Sequence, residues 1–82
     1  MSTLFSPNII KASRYLLSWS QTDLSEKSGV GVATIRKFES QVSIPRESTM
    51  RNIIRTFNDY GLNLSIENDT ILISCELKHL KQ

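Results

Sequence analysis

The feature that most constrains the fold is a set of small and apolar residues at fixed spacing within residues 21–40. Ser25 is small enough for a second helix to pass close to it, and Gly29 permits the positive φ of a tight turn. Four apolar residues can fill the wedge between the two helices, namely Leu24, Val30, Ile35 and Phe38. The segment therefore predicts two short helices that cross steeply and are joined by a turn at Gly29.

Start signals predict a helix before this pair, and they also mark where the first helix of the pair begins. Ser6 can cap the free amides of a helix that begins at Pro7, because proline suits the first helical position. We expect helix 1 over about residues 7 to 18. Ser20, with Asp23 three residues later, resembles a capping box and predicts the start of helix 2.

Helical periodicity continues on both sides of Pro45. Ile35 and Phe38 lie three residues apart on one face of helix 3, which is predicted from Val32 to Ser40. Ser48 is a candidate cap for helix 4, which is predicted to end at Gly61. The apolar residues of helix 4 follow the 3, 4, 7 pattern of an amphipathic helix and are Met50, Ile53, Ile54, Phe57 and Tyr60.

After Gly61 the hydrophobic period changes from helical to alternating. Leu62, Leu64 and Ile66 alternate with polar residues, and residues 67–70 have the composition of a turn. A second run places three further residues on one face, namely Ile71, Ile73 and Cys75. This pattern predicts a β-hairpin.

The predicted fold class is mainly α, with a four-helix domain over residues 1–61 followed by a C-terminal β-hairpin over residues 62–77 and a tail over residues 78–82. A chain of 82 residues allows only one small domain. Two strands alone are barely stable in water, so the hairpin must pack on the helices, pair with another chain, or do both.

The residues with reactive side chains are too few for most enzymatic or metal chemistry. Cys75 and His79 cannot together supply a four-ligand zinc set. We expect Cys75 to be a small core residue and His79 to be a solvated residue of the tail. The sequence contains no glycine loop that could cradle a phosphate. We therefore expect no catalytic residues, no metal and no cofactor, and a protein that is not an enzyme.

Charge and hydropathy point to a compartment and a class of partner. Residues 1–60 contain eight basic and five acidic residues, a net charge of +3, whereas residues 61–82 carry −1. This asymmetry suggests an anion-binding N-terminal part, although a mixed solvated surface would have a similar composition. No apolar run approaches the length of a membrane span, and a single cysteine suits a reducing compartment, so we expect a cytoplasmic protein.

The sequence resembles the helix-turn-helix regulators of the Cro and lambda-repressor (XRE) type over roughly residues 9 to 60. The matching residues are Arg14, Trp19-Ser20-Gln21, Leu24, Gly29-Val30, Thr34-Ile35 and Glu39. The resemblance implies that residues 21–40 are the DNA-binding motif of a repressor-like domain. It also implies that helix 3 enters the major groove of double-stranded DNA while helix 2 lies across the backbone.

The resemblance implies contacts to DNA on helices 2 and 3. Gln21 and Thr34 are expected to contact phosphates. Val32 and Ala33 occupy the first turn of helix 3, where apolar side chains can recognise a thymine methyl group but cannot form a bidentate hydrogen-bond pair. Two cations project from the same helix, Arg36 and Lys37, and Lys37 is the better candidate for a guanine edge.

The resemblance also implies roles outside the recognition helix. Arg46 and, more weakly, Ser43 are candidates for phosphate contacts after helix 3. Arg14 and Glu39 match a partly buried ion pair that joins helix 1 to helix 3 in the family, which is a structural role. Trp19 is expected to pack at the corner between helices 1 and 2.

Three features depart from the family pattern. Gly31 stands where a serine or threonine normally caps helix 3, and Ser40-Gln41 replaces the usual Asn-Gly exit from that helix. The loop over residues 40–46 contains no glycine. These differences concern the two ends of helix 3.

The leading hypothesis is a homodimeric repressor in which the hairpin joins two copies. One alternative is an antitoxin or anti-repressor module that binds a protein partner encoded in the same operon and regulates its own expression. Another is a protein-interaction module that has lost DNA binding, against which Gln21, Thr34, Arg36 and Lys37 argue.

Overall fold

A computed structural model describes residues 6–76 and residue 78. The helices are α1 (Pro7–Leu16), α2 (Gln21–Ser28), α3 (Val32–Glu39) and α4 (Glu47–Asp59), and the strands are β1 (Leu62–Glu67) and β2 (Thr70–Cys75). The predicted fold class, four helices followed by an antiparallel hairpin, is confirmed. The expectation for His79 concerns a residue outside the described part of the chain.

Helix α1 ends two residues earlier than predicted. Its last residue is Leu16, and Ser18 adopts a φ of 59°, in the left-handed region. The chain then turns back so that the Trp19 amide donates to the Arg14 carbonyl at 2.9 Å. At the other end, Ser6 occupies the N-cap position, but its side chain makes no capping hydrogen bond. Pro7 is therefore the effective start signal.

Helix α2 begins with the capping box that the sequence predicts. The Ser20 hydroxyl accepts from the Asp23 amide at 2.9 Å, and the Asp23 carboxylate accepts from the Ser20 amide at 2.8 Å. These two bonds satisfy amides that the helix itself leaves without partners. The helix ends at Gly29, whose φ of 76° closes the turn toward α3.

The predicted cap of helix α4 is wrong. The helix begins at Glu47 with Arg46 as N-cap, so Ser48 lies inside the first turn. Glu47 supports this earlier start because an acidic residue near a helix N-terminus interacts favourably with the helix dipole. Its carboxylate also accepts from Arg51 one turn later, at 2.8 Å. The helix ends at Asp59, before Gly61, where the backbone takes a φ of 88°.

One hydrophobic core joins all four helices to the start of β1. Its buried apolar residues are Ile10, Leu17, Trp19, Leu24, Val30, Ile35, Phe38, Met50, Ile53, Phe57 and Leu62. Trp19 lies at the corner between α1 and α2, with its ring stacked on Phe57 at 5.8 Å and edge-on to Tyr60 at 4.9 Å. Helix α2 and the Trp19 corner are thus packed directly against α4 and its C-terminal end.

The hairpin turns through Asn68 and Asp69, whose φ values of 50° and 60° correspond to a tight two-residue turn of the I′ kind. Its register pairs Leu62 with Cys75 at the inner end. Cys75 packs against the core but is only half-buried, so its expected place in the core is confirmed only in part. The outer end is less covered, since Ile66 is 46% exposed and Leu72, on the opposite face, is 40% exposed.

Candidate nucleic-acid interface

Helix α3 buries one face and presents the other to solvent. Ile35, Phe38 and Glu39 are buried against the other helices. The opposite face exposes four of the predicted DNA-contact residues, namely Ala33, Thr34, Arg36 and Lys37. Val32, the first residue of the helix, is half-buried. The helix therefore offers a short apolar first turn followed by two cations.

The turn before α3 is held by local hydrogen bonds. The Gly29 amide donates to the Ser25 carbonyl at 2.9 Å, and the Val30 amide donates to the Ser28 hydroxyl at 3.2 Å. Gly31 is the N-cap of α3 and provides no side-chain capping bond. The angle between α2 and α3 is thus set by this turn and by the core residues on either side of it.

A buried ion pair ties α1 to α3. Arg14 donates from Nε to Glu39 Oε2 at 2.9 Å and from Nη2 to Glu39 Oε1 at 2.7 Å. Its Nη1 donates to the Trp19 carbonyl at 2.8 Å, which adds the α1–α2 turn to the same network. The side chains are only 7% and 3% exposed. The hydrogen bond to Glu39 raises the pKa of Arg14, so the guanidinium keeps its charge throughout the ordinary pH range.

Gln21 extends this network to the start of α2. Its Nε2 donates to Glu39 Oε1 at 3.2 Å, and the side chain is half-buried. Glu39 therefore accepts from Arg14 and Gln21 together. A side-chain amide has a second N–H and a carbonyl oxygen, so this bond orients Gln21 while leaving it capacity for a further partner.

Gln21 and Arg36 line an open groove formed by α1, the start of α2 and the end of α3. We call it the basic groove; its lining includes Lys11, Tyr15, Ser18, Gln21, Arg36 and Ser40, with the Arg14–Glu39 pair. Since Arg14 and Glu39 compensate each other, Lys11 and Arg36 give the groove its positive charge. The groove is therefore suited to an anion such as a phosphodiester.

Lys11 is the residue that the sequence analysis missed. It precedes Arg14 by three positions and Tyr15 by four, a spacing that puts all three on one side of α1. That spacing was a usable signal. What the sequence could not indicate was that this side of α1 lies beside Arg36 of α3.

The remaining predicted contacts follow α3 and lie outside the basic groove. Ser43 and Arg46 are both exposed, and Arg46 is the N-cap of α4. The loop starts tightly because Gln41 takes a φ of 64° and the Val42 amide donates to the Lys37 carbonyl at 2.8 Å. The Ser40 hydroxyl also donates to the Arg36 carbonyl, at 2.9 Å. These bonds replace the glycine exit that the family pattern would supply.

Within residues 6–76 and 78, no group of three His, Cys, Asp or Glu side chains is placed to hold a metal ion. None of the helices in this part of the chain has the length and apolarity needed to cross a membrane.

Comparison with known proteins bears directly on this surface. A family model described as helix-turn-helix matches residues 10–64, which include all but the start of α1, the whole of α2, α3 and α4, and the first half of β1. A search of curated proteins returned no match to the chain. Since the match covers well over half of the sequence, the chain belongs to the helix-turn-helix family of the Cro and lambda-repressor (XRE) type, whose members are DNA-binding regulators.

Proposed function

We propose that this protein is a sequence-specific repressor that binds double-stranded DNA as a homodimer in the cytoplasm. The observation that carries the proposal is the exposed face of α3, which presents Lys37 to solvent and Arg36 to the basic groove. Within the family, such a helix lies in the major groove and the preceding helix crosses the backbone. Repression would follow from occupation of a promoter.

The proposed contacts divide into two groups. Val32, Ala33 and Lys37 face base edges, because they begin α3 or project from its exposed side. The second group contacts phosphates and consists of Gln21, Thr34, Arg36, Ser43 and Arg46. We add Lys11 to this group because it lines the basic groove together with Gln21 and Arg36. The Arg14–Glu39 pair itself does not contact DNA; it fixes α1 to α3 and so holds the two groups at a constant distance from each other.

We propose that residues 1–61 form the DNA-binding unit and that the hairpin, residues 62–77, joins two copies. The exposed Ile66 and Leu72 support this assignment, as does the two-stranded sheet of the described chain, which leaves an outer edge on each strand. A dimer would present two α3 helices to major grooves about 34 Å apart on a pseudo-palindromic site.

The test is selection from a pool of random duplexes at two salt concentrations, with the mass of the protein measured in the same buffers. Enrichment of a two-fold symmetric site by a dimer, with affinity that falls as salt rises, is the expected result. If folded protein enriches no sequence even at low salt, the proposal is wrong. Enrichment of a single half-site by a monomer would contradict only the dimer.

A protein partner is the second candidate, and one observation favours it. Val42 and Ile44, in the loop between α3 and α4, are 72% and 71% exposed. Paired apolar side chains at this exposure suit a protein contact better than a phosphate contact. An antitoxin or anti-repressor module would use this loop to bind a protein encoded in the same operon. Replacing both residues with serine would then abolish that binding and leave DNA affinity unchanged.

A further inference from the structure

The first turn of α3 lacks the side chains that usually distinguish bases by paired hydrogen bonds. It consists of the N-cap Gly31 followed by Val32, Ala33 and Thr34. The side chains that pair with a base edge through two hydrogen bonds carry an amide, a guanidinium or an ammonium group, and none of these four residues carries one. Thr34 supplies the one side-chain hydroxyl of this turn.

What this turn does present is apolar. The Ala33 methyl group is exposed, and the half-buried Val32 retains accessible surface beside it. No side chain from Gly31 stands in front of them. Its φ of −58° suits any residue, and an added Cβ would meet only the Thr34 hydroxyl, at 3.9 Å. Neither the backbone nor the packing of the chain therefore requires glycine at the start of α3.

In the major groove the 5-methyl group of thymine is the apolar feature of a base edge. An apolar first turn followed by cations can thus distinguish an A·T pair by that methyl group, while Arg36 and Lys37 interact with guanine or phosphate. We propose that each half-site of the operator presents a thymine methyl group to Val32 and Ala33. This inference rests on the proposed function, since it names what α3 reads once it lies in the groove.

Deoxyuridine provides the test, because it removes the methyl group and leaves every hydrogen-bonding group of the base unchanged. The probe is the duplex enriched from the random pool, with its thymines replaced one at a time. Burying one methyl group corresponds to about a fourfold change in affinity. We expect about a fourfold loss at one thymine per half-site, and roughly fifteenfold when both half-sites are substituted.

Variants of the protein test which side chains cause the loss of affinity for the deoxyuridine duplex. In Val32→Ala the loss caused by deoxyuridine should shrink to less than about twofold, because most of the apolar contact is gone. Ala33→Ser, at an exposed position, gives the same test in a variant whose fold does not depend on that side chain. Lys37→Ala is the matched control: its affinity falls on both duplexes, and the ratio between thymine and deoxyuridine is kept.

The outcomes separate this inference from the proposed function. If no sequence is enriched, sequence-specific binding is wrong and the inference is wrong with it. If a site is enriched but tolerates deoxyuridine at every position within twofold, or contains no thymine, the protein reads DNA without this methyl contact. The inference is then overturned, and the proposed function stands.

Discussion

Two regions of the molecule share one hydrophobic core: the helices around the Arg14–Glu39 pair, which form the first region, and the hairpin, which forms the second. They differ in how far their side chains are buried and paired within the chain. The first region contains a bidentate ion pair, a capping box and a glycine turn, and its described buried polar side chains all find partners within the chain. The hairpin is buried at Leu62 and progressively exposed toward Ile66. This difference fits the proposed roles, because a surface that presents side chains to DNA at fixed distances needs internal order, whereas a surface proposed to join two copies would be covered by the second copy.

The largest expected effect on stability comes from breaking the Arg14–Glu39 ion pair at the centre of the first region. Glu39→Ala leaves Arg14 charged and buried without its partner, so we expect a loss of about 3 to 5 kcal/mol in the free energy of unfolding. Denaturant titration measures it. A control with both residues made apolar, Arg14→Met with Glu39→Leu, should recover much of the loss. A cost below about 1 kcal/mol for Glu39→Ala would mean that the pair does not hold the region together.

The two ends of the hairpin give the next largest contrast. Leu62→Ala removes a fully buried side chain, and we expect it to cost about 3 kcal/mol in stability. Leu72→Ser changes an exposed side chain near the outer end, so the stability of one copy should change by less than about 0.5 kcal/mol. Its effect should be on the mass in solution, shifted from dimer toward monomer. Equal effects of both substitutions on stability would remove the distinction between the two ends.

A smaller effect is expected on DNA affinity. Lys37→Ala should weaken binding to the enriched duplex by about 1 to 3 kcal/mol if the side chain meets a base edge. Arg36→Ala should instead reduce the salt dependence by about one counterion, as expected for a phosphate contact. Fluorescence anisotropy at several salt concentrations separates the two. Arg51→Ala is the control, because Arg51 pairs with Glu47 on the surface of α4.

The smallest expected effect concerns strain in the two regions. Gln41 follows α3 with a φ of 64°, a conformation that is unfavourable for a side chain of this type. Gln41→Gly should therefore stabilise the protein by roughly 0.5 to 1 kcal/mol. In the hairpin, Asn68 has a φ of 50°, but asparagine tolerates the left-handed region, so Asn68→Gly should change little. Thermal melting of both variants tests whether the strain lies in the first region.

Local signals account for what the sequence predicted well. The capping box at Ser20, the turn at Gly29 and the tight hairpin turn each depend on residues adjacent in the chain. The predicted helix ends were wrong where two sequence signals competed or where no residue type marked the end. Ser48 is a good cap in isolation, but Glu47 already fits the first turn of α4. Helix α1 ends through Ser18 in a conformation that favours glycine, so no residue type marked the end.

The candidate site was predictable residue by residue but not as an arrangement. The exposed cations of α3 follow from helical periodicity, whereas Lys11 joins Arg36 only through the way α1 crosses α3. The bond from Gln21 to Glu39 spans 18 residues, and no periodic pattern within one helix encodes it. Tertiary geometry of this kind depends on the packing of three helices at once.

Trp19 gives the chain an optical consequence. It is the sole tryptophan of the sequence. Its ring stacks on Phe57 and meets Tyr60 edge-on, and its carbonyl accepts a hydrogen bond from the Arg14 guanidinium. Its emission will therefore shift to longer wavelength when the α1–α2 corner loosens, and will not respond to fraying at the far end of the hairpin. A disagreement between tryptophan emission and the circular dichroism of the strands would reveal that the two regions open separately.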